Sequence, residues 1–438
     1  MHTVNIGLFG FGTVGGGLAE ALCSQHERIL RRSGLSLKLT KIAARSLSSL
    51  PPELAGVELV KDPDALINDP SIHIFVELIG GIEPARSCIL KAIAAGKHVV
   101  TANKALLSQH GKELFSAAAA KGVEIGFEGS VGGGIPLIKA LKEGLAANKL
   151  LSVMGILNGT SNYILTRMSE ERLPFAEALR EAQRLGFAEA DPTYDVEGID
   201  TAHKLAILMT IAYGMNISPQ QIATEGISGI EPVDIEFARE FGCRIKLLAV
   251  SRDIGGAIEA RVHPTMVPVA HLLASISGAN NAAEFCGDLC GSIILSGAGA
   301  GRLPTGSAVA ADVIDIARNI AAGAVGRVPA LSYLPEEIVD RPIAPLSALA
   351  CPFYLRITAL DKPGVLAKIA AILSEHGISI ESVIQKGRRE NEPVAVVILT
   401  HTAKEAAVAA ALQEIDSLDT VAAPTVRIRM LGEEQSHA

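Results

Sequence analysis

Val4-Asn-Ile-Gly-Leu-Phe-Gly10-Phe-Gly-Thr-Val-Gly15 decides the fold of the first third of this 438-residue chain. Residues 4–9 are a short apolar run of the kind that forms a buried strand, and helical sequence follows Gly15 to about Arg32. With 42 glycines in the chain, a Gly-x-Gly-x-x-Gly match alone says little. A strand just before it and a helix just after turn the match into a dinucleotide-binding fingerprint. Gly10 serves the tight turn, Gly12 the approach of a pyrophosphate, and Gly15 close helix–strand packing. Phe11, Thr13 and Val14 complete the cradle, and the anion is expected on the free N–H groups of the helix N-terminus.

Outward from this turn, strands are expected at 37–44, 57–60, 72–78, 98–101 and 123–127, with helices at 84–95 and 103–120 between them. Strands alternating with helices imply βαβ units, hence a doubly wound parallel sheet of Rossmann type over residues 1–135. The second strand ends in Ala43-Ala44-Arg45-Ser46, where a carboxylate for the ribose 2′-hydroxyl would mark an NAD protein. Arg45 instead suits a 2′-phosphate, which favours NADP, with NAD the alternative and a plain surface arginine the bland reading.

Beyond Pro136 the rhythm changes to strands mixed with longer amphipathic helices. Residues 136–330 are expected to form an α+β substrate domain, with helix 307–322 packing back on the first domain. A Pro- and Ser-rich stretch, 331–350, reads as a linker. Residues 351–432 follow the order βαββαβ, the ferredoxin-like pattern.

Composition removes several function classes. No apolar run is long enough to span a bilayer, and no basic leader precedes the first strand, so a cytoplasmic, membrane-free protein is expected. Acidic residues outnumber basic ones 47 to 39 without a basic block, which argues against nucleic acid. The six cysteines are scattered, and Cys286/Cys290 lack the partners of a zinc site.

Chemistry is expected at the carboxyl ends of the strands, where Thr101-Ala-Asn-Lys104 lies. Asp200 and Lys204 share one helix face after the acidic loop Glu189-Ala-Asp-Pro-Thr-Tyr-Asp-Val-Glu197. Spacing leaves two readings open. One is an exposed i,i+4 ion pair worth about 0.3–0.5 kcal/mol. The other is a partly desolvated lysine able to pass a proton.

Resemblance separates them. The cradle, Thr101–Lys104, Glu128-Gly-Ser-Val-Gly-Gly-Gly-Ile-Pro136, Ile156-Leu-Asn-Gly-Thr-Ser-Asn-Tyr-Ile-Leu165, the segment 186–205 and Gly297-Ala-Gly-Ala-Gly-Arg-Leu-Pro-Thr-Gly306 come in order. As a set they resemble homoserine dehydrogenase of the bacterial type. Asp361-Lys-Pro-Gly-Val-Leu-Ala367 in the C-terminal unit resembles an ACT domain.

The resemblance implies NAD(P)-dependent interconversion of aspartate 4-semialdehyde and homoserine. It assigns proton transfer to Lys204 and a second charge to Lys104, near substrate and cofactor. It gives substrate binding to Glu189, Asp200 and, more weakly, Thr160, and backbone positions near the cofactor to Gly186 and Gly301. Glu128, Val131, Gly133 and Ile135 match a site where mostly backbone carbonyls hold sodium; from composition that loop reads as a glycine-rich hinge. It further implies threonine feedback at paired ACT domains, with Gly364 at the ligand turn, and a homo-oligomer, dimer or tetramer. Aspartate semialdehyde dehydrogenase, a rival of the same cofactor class, needs an activated cysteine that this sequence does not offer. A non-catalytic sensor would have no use for both lysines and both carboxylates.

Overall fold

The structure, a computed structural model, describes residues 2–386 and 392–432. The chain divides into two compact units, Met1–Val153 with Asp200–Ile222 and Asn280–Arg341, and Met154–Ile199 with Ala223–Ala279 and Pro342–Ala438.

In the first unit six strands form one parallel sheet: β1 (His2–Phe9), β2 (Leu35–Ala43), β3 (Glu58–Val60), β4 (Ile74–Glu77), β5 (His98–Thr101) and β6 (Ile125–Gly126). Their order, β3-β2-β1-β4-β5-β6, reverses direction between β1 and β4. A dinucleotide crevice belongs at that reversal, outside the carboxyl ends of the strands. Every residue of β4 and β5 is buried, as in a sheet covered on both faces.

The helix expected to run to Arg32 breaks at Gln25, leaving Thr13–Ser24 and His26–Ser33. The second piece is so rich in charge that only Ile29 is buried, and the break turns that one side chain into the core. Helix Arg302–Ala322 packs on Thr13–Ser24 with Val309, Val313, Ile316 and Ala317 in the same core. The two backbones nearly touch: a Cβ at Gly17 would lie 1.9 Å from the Arg302 carbonyl oxygen. The proline-rich stretch after residue 330 is pinned down, since Val339–Asp340 pairs with Met215–Asn216 and Tyr333 Oη donates to the Ala212 carbonyl at 3.2 Å.

The second unit is built on an antiparallel ribbon, Cys243–Asp253 with Ile258–Pro268, that hydropathy alternation does not reveal. Val421–Met430 joins its Ile258–Pro268 edge in parallel, through Thr265–Arg429 and Met266–Met430. Phe353–Leu360, Pro393–Thr400 and Ile380–Gln385 follow in turn, with helices Val365–Glu375 and Glu405–Asp416 closing the expected βαββαβ order. Buried charges mark the joins. Asp234 accepts from Tyr354 Oη at 2.9 Å and from Arg356 Nε at 2.7 Å and Nη2 at 3.1 Å. Arg429, which is 2% exposed, bridges Glu225 and Glu405 with four contacts of 2.8 Å.

Candidate active site

Gly10 adopts φ +102°, and a Cβ there would lie 2.7 Å from the Leu78 carbonyl, so no other residue fits the turn. Gly12 caps helix Thr13–Ser24 without a side chain and faces open space. The first-turn N–H groups are thus available to an anion, and the cradle fits a pyrophosphate. Gly15 is tight for a more local reason than strand packing: its Cβ would stand 2.1 Å from the Gly10 carbonyl oxygen. Phe11 and Val14 lean on the core while Thr13 is exposed. Arg45 is exposed just past the end of β2. Beside it lies Lys61, which the sequence did not single out. Its ammonium donates to the carbonyls of Ala44 at 3.4 Å, Arg45 at 3.1 Å and Leu47.

Lys104 opens helix Lys104–Lys121, whose N-cap Asn103 accepts the Leu106 N–H at 3.2 Å. Asp200 lies in the first turn of helix Ile199–Tyr213, where a carboxylate suits the helix dipole. One of its oxygens meets Lys104 Nζ and the other Lys204 Nζ, each at 2.6 Å. Asp200 is 1% exposed and Lys204 8%, so the i,i+4 pair is interior and not the exposed alternative. Burial pushes the Asp200 carboxyl up, but the ammoniums of Lys204 and Lys104 outweigh it and hold the group below its ordinary range. His203, also unsuspected from sequence, is buried with Nδ1 at 2.6 Å from Ser108 Oγ. Burial lowers its pKa, against the pull of Asp200.

In the second unit Asn158 caps helix Gly159–Glu171 through the Ser161 N–H at 2.8 Å. Thr160 Oγ1 donates to the Phe187 carbonyl at 2.6 Å, Asn158 Nδ2 to Asp195 Oδ1 at 2.7 Å, and Ser161 Oγ to the Asp195 carbonyl at 2.9 Å. One helix terminus therefore holds both ends of the 187–195 loop. Gly186 turns at φ +78° just before it, and Glu189 is exposed upon it.

The Glu128–Ile135 loop is in the first unit. Gly132 and Gly133 have φ of +77° and +57°. At Gly133 a Cβ would stand 2.4 Å from the Gly299 carbonyl carbon, close to where Gly301, at φ +128°, caps helix Arg302–Ala322. Both carboxylate oxygens of Glu128 are taken, by the N–H groups of Ile138 at 2.9 Å and Lys139 at 2.8 Å. Its own N–H donates to Asp312 Oδ2 at 2.8 Å. Burial raises Glu128 and carries Asp312 up to about 8. Among the described residues no group of three or more His, Cys, Asp or Glu could hold a metal ion.

Three family models tile the chain: the homoserine dehydrogenase NAD-binding domain over residues 10–128, homoserine dehydrogenase over 136–314 and the ACT domain over 353–419. The homoserine dehydrogenase of Neisseria gonorrhoeae is 46% identical over 98% of this chain and 99% of its own. The chain belongs to the homoserine dehydrogenase family. The crystal structure of a homoserine dehydrogenase from Thiobacillus denitrificans is 47% identical, with a TM-score of 0.93 over 98% of both chains. A hyperthermophilic archaeal homoserine dehydrogenase solved with NADPH is 29% identical, with a TM-score of 0.61 over 72% of this chain and 97% of its own.

As a member of this family, the chain is an NAD(P)-dependent oxidoreductase. Its first unit brings Lys104, Asp200 and Lys204 into direct contact from sequence positions a hundred residues apart. Thr160 and Glu189 lie in the second unit. Among the described residues no helix is long and apolar enough to cross a membrane. All six cysteines are free thiols, two of them, Cys23 and Cys290, exposed rather than buried.

Proposed function

We propose that this chain interconverts L-aspartate 4-semialdehyde and L-homoserine with NADP as the preferred carrier, and that Lys204 moves the proton. The observation that carries this reading is the interior carboxylate of Asp200 held between Lys104 and Lys204 at 2.6 Å each. The nicotinamide, when bound, exchanges a hydride with the aldehyde carbon. Lys204 gives the alkoxide oxygen its proton in reduction and takes it back in oxidation. Lys104 sets positive charge beside that oxygen as its negative charge grows. Asp200 anchors both ammoniums, and the Glu189 carboxylate suits the ammonium of the substrate. Thr160 acts through the Phe187 carbonyl, steadying the loop that carries Glu189.

The same reading places the pyrophosphate on Gly10–Gly15 and the 2′-phosphate at Arg45, with Gly186 and Gly301 as close backbone positions. It places a sodium ion on the carbonyls of Glu128, Val131, Gly133 and Ile135, in a loop that two left-handed glycines turn. Residues 1–135, 136–330 and 351–432 serve as the cofactor, substrate and regulatory parts, in a cytoplasmic homo-oligomer whose ACT domains bind threonine at Asp361–Gly364.

Mixing the purified protein with L-homoserine and NADP, then NAD, and following the near-ultraviolet absorbance of the reduced nicotinamide tests the activity. Lys204→Ala should lower kcat about 10²- to 10⁴-fold while cofactor affinity holds. Near-normal turnover would sink the assignment. Threonine should slow the wild type, and Asp361→Ala should relieve that inhibition. Deleting residues 351–438 is the poorer test, because it strips Arg356 from Asp234 and Arg429 from Glu225.

A further inference from the structure

Glu77 is fully buried at the end of β4, a strand otherwise made of Ile, Phe and Val. In the sheet register it stands beside Phe9, the residue before the cradle, and beside Thr101, the first residue of the Lys104 motif. Burying a carboxylate there is costly unless specific bonds reward it. Oε1 accepts the N–H groups of Ile79 at 2.8 Å and Gly80 at 3.1 Å. Oε2 accepts the Thr101 hydroxyl at 2.6 Å.

Those bonds close a ring. Thr101 Oγ1 accepts the Asn103 N–H at 3.0 Å, and Asn103 Nδ2 donates to the Gly81 carbonyl at 2.6 Å. Asn103 is the cap on which Lys104 begins its helix. On the other side the Leu78 carbonyl presses on Gly10, at 2.7 Å from where a Cβ would be. The turn 78–81 is thus clamped between the dinucleotide cradle and the base of Lys104, with one side chain holding both.

We infer that Glu77 is a positioning residue that fixes the Lys104 turn relative to the Gly10 cradle. The inference rests on the reading of Lys104 as a residue of the reaction site. Only an acceptor-only group satisfies three donors at this point. Glutamine keeps the shape and one acceptor oxygen, but its NH2 either faces the two backbone N–H groups or donates to Thr101 Oγ1, which reverses that bond and takes the acceptor from the hydroxyl proton. The ring is then weakened on one side, and the Lys104 turn loses its fixed place relative to the Gly10 cradle.

The test is a double-mutant cycle on kcat/KM for homoserine, using the full-length protein. Glu77→Gln should cost about ten- to a hundredfold, the size of one charge-assisted hydrogen bond. In a Lys104→Ala background the same change should cost less than about twofold, because its effect passes through Lys104. Thr101→Val, which removes the hydroxyl and keeps the shape, should behave alike and serves if Glu77→Gln folds poorly. Equal losses in both backgrounds, or no loss in the wild type, would overturn the inference. A wild type inactive on homoserine would instead defeat the proposed function. The inference is then decided by hydrogen exchange at the Gly80 and Asn103 amides, which Glu77→Gln should speed more than about tenfold. Unchanged exchange there would overturn it.

Discussion

Replacing Asp200 by Asn takes one negative charge from between two ammoniums and leaves the volume unchanged. The amide oxygen can accept from one lysine, and its NH2 then faces the other. Lys204, only 8% exposed, has little water to turn to, whereas the Lys104 side chain is 36% exposed and can swing outward. Removing one partner of a buried pair costs about 3–5 kcal/mol, and nearly all of it should fall on Lys204. At about 2–4 °C per kcal/mol for a unit of this size, Tm should drop by about 6–20 °C at neutral pH.

Lys204→Met should cost less, because Asp200 keeps Lys104. Combining Lys204→Met with Asp200→Asn should recover much of the loss, since neither charge then remains in the interior. The Asp200 carboxyl is held low in the folded state, so its stabilising effect is present above its unfolded pKa of about 4 and fades as pH falls further. The gap in Tm between wild type and Asp200→Asn should thus be constant from neutral pH down to about 5 and narrow below about 4. Calorimetry of the four proteins across that range decides it. An Asp200→Asn protein as stable as wild type, or a double variant worse than the two losses added, would refute an interior, charge-coupled trio.

Two further outcomes follow from buried charge in the second unit. His263 accepts from Arg261 Nε at 3.2 Å and lies near Arg429, and burial with those cations drives its pKa well below the ordinary value. The unfolded chain takes up that proton first, so stability is complete above about pH 7 and falls below about 6.5, by up to about 1.4 kcal/mol per pH unit. His263→Gln should flatten that acid limb of Tm against pH; curves that stay parallel would exclude His263 as its cause. Asp234→Ala should cost about 3–5 kcal/mol in urea unfolding by leaving the Arg356 guanidinium only the exposed Glu231 carboxylate at 3.1 Å, and Tyr354→Phe about 1–3 kcal/mol. Additive losses in the double variant would mean that the three groups do not act as one network.

Elements with strong local signals were legible before any coordinates. The cradle, helix Ile199–Tyr213 and the last strand, Val421–Met430, fall where periodicity and glycine place them. The ribbon Cys243–Pro268 escaped notice because its strands bury Lys246, Arg261 and His263, which break the pattern of hydropathy on which a strand is recognised. Arg261 and His263 bond to each other within the ribbon, and other polar groups there are satisfied by partners far away in sequence. Lys246, for example, donates to Asn162 Oδ1 at 3.2 Å and to the Ile276 carbonyl. Glu77 and Lys61 escaped for the same reason, since a lone carboxylate or lysine at a strand end looks like the turn residue that most of them are.

By itself the sequence determined that a dinucleotide cradle opens the chain, that βαβ units follow it, and that Lys104, Asp200 and Lys204 are present in a family-like order. It could not decide between an exposed helix pair and an interior trio at Asp200. The i,i+4 spacing is a property of one helix, whereas burial depends on what docks against it. Only the tertiary structure brought Lys104 to within 2.6 Å of Asp200 and took water from Lys204. Local sequence sets which groups share a face; the dielectric around them, and with it their chemistry, is set by packing between distant segments.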